Sequence, residues 1–256
     1  MNFDWGIVLM SAGSIFLGTL VHGIAGFGIA QISMGLMPLF RSPTDASTIF
    51  GIVAVVSNLR VWWSVREHFE WRDWLIPVGG LAAGLPLGIL LLNQLSESQM
   101  RLIIGITLLL AVILIALFRE LKLFERWFGD KEIQNTWYLG LLAGFLAGLF
   151  GGAVAIPGPP MIVYGAFMLA AGSWDSKKMK AIFTAFFGTL MLYRSISITV
   201  TGDMSLQLFL ESLMMLPGMF LGAWLGIKIY QFIPEKTFQW IVLGLLTINA
   251  ILLILT

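Results

Sequence analysis

Arg194 stands where a charge is expensive. It lies in TAFFGTLMLYRSISITVTGD, an apolar run with no acidic residue in the same span. Counted from Lys180, at about 1.5 Å of rise per residue, it sits about 21 Å into a helix. That is deeper than a side chain can snorkel back to water, and an unpartnered intramembrane charge is costly. Its planar fork of N–H donors matches an oxyanion, so a mobile anion is one suitable partner. A structural pair with Glu211, or a backbone carbonyl, is the alternative. Two glycine- and proline-rich clusters offer an anion something more. HGIAGFGIAQ starts at His22, and GGAVAIPGPPM starts at Gly151. Each predicts a break in an apolar stretch followed by a new helix start, near Gly28 and near Met161. A helix start exposes free N–H groups and a positive dipole end, where an anion is a natural guest. Tight packing or a simple kink is the plainer reading of the same residues.

These positions define the candidate site. Gly26, Phe27, Gly28 and Gln31 would line one side, and Gly152, Gly158 and Pro159 the other, with Asn58 and Arg194 nearby. Asn58 is an amide in an apolar run and needs hydrogen-bond partners, from a ligand or from a neighbouring helix. His22 borders the first break and could couple protons, or pack as a neutral ring. Arg60 is close enough to a helix end to snorkel, and Glu211 is expected in a solvated position near the opposite end.

Other chemistries find no residues. There is no cysteine, so disulfides, thiolate metal sites and cysteine nucleophiles are excluded. The two histidines, His22 and His68, are too far apart for a local metal motif. No HExxH, GxSxG or Walker A sequence occurs, and no paired intramembrane carboxylates. No enzyme, metal or cofactor is expected. A net charge of +1 suggests no nucleic-acid partner.

The elements that must position these residues are membrane helices. The chain is 58% hydrophobic and 11% charged, where a soluble domain is about half apolar and a quarter charged. Each broken stretch runs for about 36 residues, which as one helix would be about 54 Å long. A bilayer core is only about 30 Å thick. Non-helical backbone at that depth is tolerated only against protein or a watery cavity, so each break marks a binding-site candidate.

The halves share an order of parts: a broken stretch, then three apolar runs. Gly80, Gly84 and Gly88 recur as Gly218, Gly222 and Gly226, Phe50-Gly51 recurs as Phe187-Gly188, and Ser57-Asn58 corresponds to Arg194-Ser195. The sequence divides into an N-terminal repeat, 1–118, an amphipathic linker, 119–136, and a C-terminal repeat, 137–256. If each broken stretch turns back as a hairpin, eleven loop Lys/Arg share one side and only Arg41 and Arg101 the other. If each crosses once, there is no bias. The positive-inside rule prefers the first arrangement. That gives five segments per half, about ten in all, an inverted relation between the halves as in many secondary transporters, and both termini outside. Trp62, Trp63, Trp71 and Trp74 then fall in an interfacial belt.

HGIAGFGIAQISMGLMPLF and GLFGGAVAIPGPPMIVYGAF resemble the sulfite exporter TauE/SafE family, of the toluene-sulfonate uptake permease group. The likeness extends over nearly the whole chain. The triple glycine common in the family reads Gly26-Phe27-Gly28 here. The resemblance implies a multi-pass protein of the bacterial inner membrane. It implies transport of small sulfur-containing anions such as sulfite, sulfoacetate or other organosulfonates, with import and export both known in the group. The expectation is an all-α carrier with alternating access, embedded in lipid, with association into a homo-oligomer left open. An anion channel using the same site and a non-transporting membrane scaffold are the competing readings.

Overall fold

The computed structural model describes residues 3–25, 28–92, 94–120, 137–202, 204–229, 244 and 247–255. Gly26 and Phe27, and residues 121–136 of the expected linker, lie outside them. The described residues form helices and no strand. In order these are α1 (Trp5–Ala25), α2 (Ile29–Leu36, prolonged by a 3-10 turn Met37–Leu39), α3 (Pro43–Val65) and α4 (Trp71–Leu92). Then come α5 (Glu97–Glu120), α6 (Trp137–Val154), α7 (Gly158–Ala170), α8 (Ser176–Val200) and α9 (Leu206–Ile229). Residues 247–255 are helical as well. Among the described residues, seven helices are long and apolar enough to cross a membrane, and two apolar ones, Ile29–Leu39 and Gly158–Leu169, are shorter. Large apolar side chains such as Leu9, Leu90, Leu142 and Val200 point outward, as lipid requires. The protein is a multi-pass helical membrane protein.

Helix starts are marked by short polar side chains. The Ser42 hydroxyl accepts from the Asp45 N–H at 3.1 Å and caps α3, with Pro43 in the first turn, where its missing N–H costs nothing. Asp175 caps α8 by accepting from the Lys178 N–H at 2.7 Å, and that N–H holds the carboxyl below its ordinary range. Ser96 and Gln99 exchange bonds at the head of α5, the Ser96 N–H donating to Gln99 at 2.9 Å and the Gln99 N–H to Ser96 at 3.3 Å.

Both broken stretches turn back on themselves. In the first, Gly28 lies against Val21 and Gly18 against Ile29 and Ser33, so α2 retraces the end of α1. Arg41, beyond α2, reaches Ser11 at 3.1 Å. In the second, Gly151 lies against Pro157 and Gly140 against Tyr164. The short helices are the returning limbs of hairpins.

The most extensive helix packing joins elements far apart along the chain. α4 packs along α6, and α1 along α9. A Cβ on Gly80 or Gly84 would run into the Leu141 or Phe145 carbonyl, and one on Gly222 or Gly226 into the Phe16 or Leu20 carbonyl. Each glycine row thus lets two backbones touch, the packing that small residues permit where lipid supplies no hydrophobic drive. α3 crosses α8 with reciprocal contacts: Gly51 meets Ser195, and Gly188 meets Asn58.

Among the described residues, two ionic clusters tie the ends of the bundle. At one end Arg41 pairs with Glu211 at 2.8 Å, both side chains about 5% exposed. Gln207 also donates to Glu211, at 3.2 Å. Glu211 is therefore buried and paired, not solvated as expected. Its expected alternative partner, Arg194, is elsewhere. At the other end Lys178 lies 2.7 Å from both Glu70 and Asp73, and the Trp174 indole donates to Asp73 at 3.0 Å. Arg41 and Arg101 stand at the first end, with Arg101 donating to the Pro38 carbonyl at 3.2 Å.

Candidate functional site

The returning limbs bring the two breaks together. Gly158, the first residue of α7, faces the Gln31 amide so closely that a Cβ there would collide with it. Around this contact lies a cavity of about 30 Å³, room for about two waters. The first break contributes His22, Gly28, Ile29, Ala30 and Gln31, and the second Pro157, Gly158 and Ile162. The crossing of α3 and α8 closes it with Phe50, Ala54 and Asn58 from α3 and Phe183, Phe187 and Met191 from α8.

Its polar groups are buried and underused. His22 is 2% exposed, and neither ring nitrogen has a hydrogen-bond partner among the described residues. Asn58 donates its amide N–H to the Ala54 carbonyl at 2.8 Å, while its oxygen has no partner. Gln31 is buried as well. Buried polar groups are normally bonded, so the open atoms of His22 and Asn58 call for partners inside the cavity, water or a guest. The start of α2 adds backbone donors. α2 begins after Gly28, whose φ of +103° is natural for glycine, and the first N–H groups of a helix lack intrahelical partners.

Of the predicted positions, Gly28, Gln31, Asn58, Gly158 and His22 line this cavity. Gly152 does not. It is wedged against α4 beside the Leu85 carbonyl and Gly88. Pro159 is buried in the first turn of α7, outside the lining. Gly26 and Phe27 lie outside the described residues. Arg194 is fully buried but behind the wall. Its Nε donates to the Gly152 carbonyl at 3.1 Å, one terminal nitrogen to the Ser47 carbonyl at 2.9 Å, and the other to the Ser47 hydroxyl at 2.8 Å. It thus clamps α8 to α3 and to the last turn of α6, just before the second break. All three acceptors are neutral. Its positive charge stays uncompensated by any acid among these partners, one turn from Met191 of the cavity.

The aromatic wall was not singled out by sequence reasoning. Phe183, Phe187 and Met191, like Phe50, Ala54 and Asn58, recur every fourth residue, the mark of one helix face. In helices apolar on every side that mark does not say which face matters.

The sequence profile of the sulfite exporter TauE/SafE family matches residues 11–253. The chain belongs to the TauE/SafE family. It is also similar to the probable sulfite/organosulfonate exporter TauE of Cupriavidus necator, 25% identical over 148 residues, which are 57% of this chain and 55% of that relative. The chain thus spans about half the length of the curated relative it matches. No solved structure matches it. Membership fits an apolar, multi-helical protein whose breaks converge on buried, unpartnered polar groups.

Proposed function

We propose that this protein is a secondary transporter of small sulfur-containing anions, sulfite or an organosulfonate, working by alternating access. The observation that carries this reading is the meeting of the two breaks. The Gln31 amide lies against Gly158, and around them His22 and Asn58 hold unpartnered polar atoms beside two helix starts. The anion sits there, the cavity widening from its two-water volume to admit it, and Gly26 and Phe27 belong to the same proposed site. Arg194, Gly152 and Pro159 act from behind. The guanidinium supplies positive potential in a medium of low dielectric, where charges act over long distances, and fixes the end of α6 from which the second break departs. His22 is the candidate for coupling transport to protons.

The packing supports two inverted repeats, 1–118 and 137–256. The pairs α4–α6 and α1–α9 are equivalent under the order of parts, and so are the reciprocal contacts Gly51–Ser195 and Gly188–Asn58. The two ionic clusters are equivalent too. Each joins a basic residue beside a hairpin exit, Arg41 or Lys178, to acids at the start of the fourth helix of the other half. At opposite ends of the bundle, they are suited to be the two gates, one released when the other closes. The end bearing Arg41 and Arg101 is assigned to the outside, with both termini, by the positive-inside rule.

The test is anion binding by purified protein and counterflow in vesicles. Sulfite or small sulfonates should raise the melting temperature by mass action, and flux should saturate and be accelerated by anion on the far side. A channel would show no acceleration. A scaffold would show no stabilisation, which would overturn the reading.

A further inference from the structure

The unmet groups in the cavity are of two kinds, and this says something about the guest beyond its charge. The Ala54 carbonyl can only accept, so the Asn58 nitrogen must face it at 2.8 Å. The Asn58 oxygen, an acceptor, is thereby turned away and left without a partner. A neutral imidazole presents one N–H and one lone pair, so unpartnered His22 also offers an acceptor as well as a donor. Both residues are 2% exposed and line the cavity. A simple oxyanion only accepts. It could accept from Gln31, the helix N–H groups and one His22 nitrogen, yet would leave the Asn58 oxygen buried and unmatched. Among the described residues no lysine or arginine lines the cavity, the Arg194 guanidinium being turned to Ser47 and Gly152.

Resting on the transporter reading above, we propose that the site selects singly charged oxyanions that themselves carry a hydrogen-bond donor, such as a hydroxysulfonate or a protonated oxyanion. Their oxyanion end faces the helix starts and Gln31, and their donor faces the Asn58 oxygen. A site that leaves a buried acceptor unpaired rejects the ligand lacking the matching hydrogen.

Two monoanions of similar size separate this from charge alone: hydroxymethanesulfonate and ethanesulfonate, which exchange a hydroxyl for a methyl. Their affinities for the purified full chain are measured by calorimetry at mildly acidic pH, with methanesulfonate and sulfite alongside. Hydroxymethanesulfonate should bind about tenfold or more tightly than ethanesulfonate, the effect of one buried acceptor left unpaired. In Asn58→Leu the ratio of the two affinities should collapse toward one. Asn58→Met gives the same comparison should Asn58→Leu not fold. Equal affinities in the unmodified protein would overturn the donor requirement while leaving the anion site standing. Absence of binding by all four anions would overturn both.

Discussion

In the first broken stretch the chain re-enters a helix through Gly28 at φ +103°, and no proline occupies the first turn of α2. In the second, Ala155 takes φ +59°, Pro157 precedes the helix, and Pro159 and Pro160 fill its first turn. Proline has no N–H, so three of the four free donors that a helix start provides, those of the N-cap Pro157 and of Pro159 and Pro160, are missing from α7. The first break is the richer source of donors. The second is a fixed, side-chain-poor surface, with Gly158 shaped to receive the Gln31 amide. On the proposed reading, the two breaks therefore divide the work of one site. The anion should lie nearer α2 than α7.

The largest effect that would break this comparison is at Gly158. In Gly158→Val the new side chain occupies the position of the Gln31 amide, so anion binding and vesicle flux should fall below detection while folded protein remains in the membrane. Full activity would show that the second break does not face the anion. Gly28→Val should behave differently. Its positive φ and its closeness to the Val21 side chain, 2.9 Å from a Cβ there, should cost the fold itself, read as loss of extractable monodisperse protein.

Next in size is Arg194→Met. It leaves the Ser47 and Gly152 carbonyls without their donors in a buried setting, a loss on the order of 3 kcal/mol. Reversible unfolding in detergent should show it. Adding Glu211→Gln should not rescue it, because Glu211 is engaged by Arg41. Rescue would mean that the partners exchange. Smaller still is Gln31→Leu, which removes one donor from the cavity and keeps its volume. Affinity for methanesulfonate should drop about tenfold with little change in melting temperature. An unchanged affinity would move the anion away from α2.

The breaks, the glycine rows and the burial of Arg194 were legible in the sequence, because glycine, proline and a lone charge are exceptions in an apolar background. The partners were not. Arg194 lies across from Ser47, 147 positions away along the chain, and Glu211 across from Arg41, 170 positions away. Periodicity marks a helix face but not what that face meets. Glu211 read as solvated because a carboxylate near a helix end usually is, and the buried pair depends on a hairpin exit that only the fold brings there. The unpartnered His22 nitrogens and Asn58 oxygen were invisible for the same reason: satisfaction is a property of neighbours.

The smallest predicted effect sharpens the contrast between the breaks. An L-residue in the left-handed region costs about 1–2 kcal/mol, and Ala155 bears that cost while fully buried. Ala155→Gly would relieve it. Against this stand the greater freedom of glycine in the unfolded chain, about 0.4–1 kcal/mol, and the loss of a buried methyl, about 0.8 kcal/mol. The terms nearly cancel, so the melting temperature should stay almost unchanged. Gly28→Ala has no such balance. It takes on the backbone cost, and its methyl enters the 2.9 Å approach to Val21, so a clear fall in melting temperature is expected. Measured side by side, equal responses would mean that the two turns are strained alike. A fall in Gly28→Ala alone would establish that the first break depends on glycine for its conformation, while the second is held in place by the prolines and packing around it.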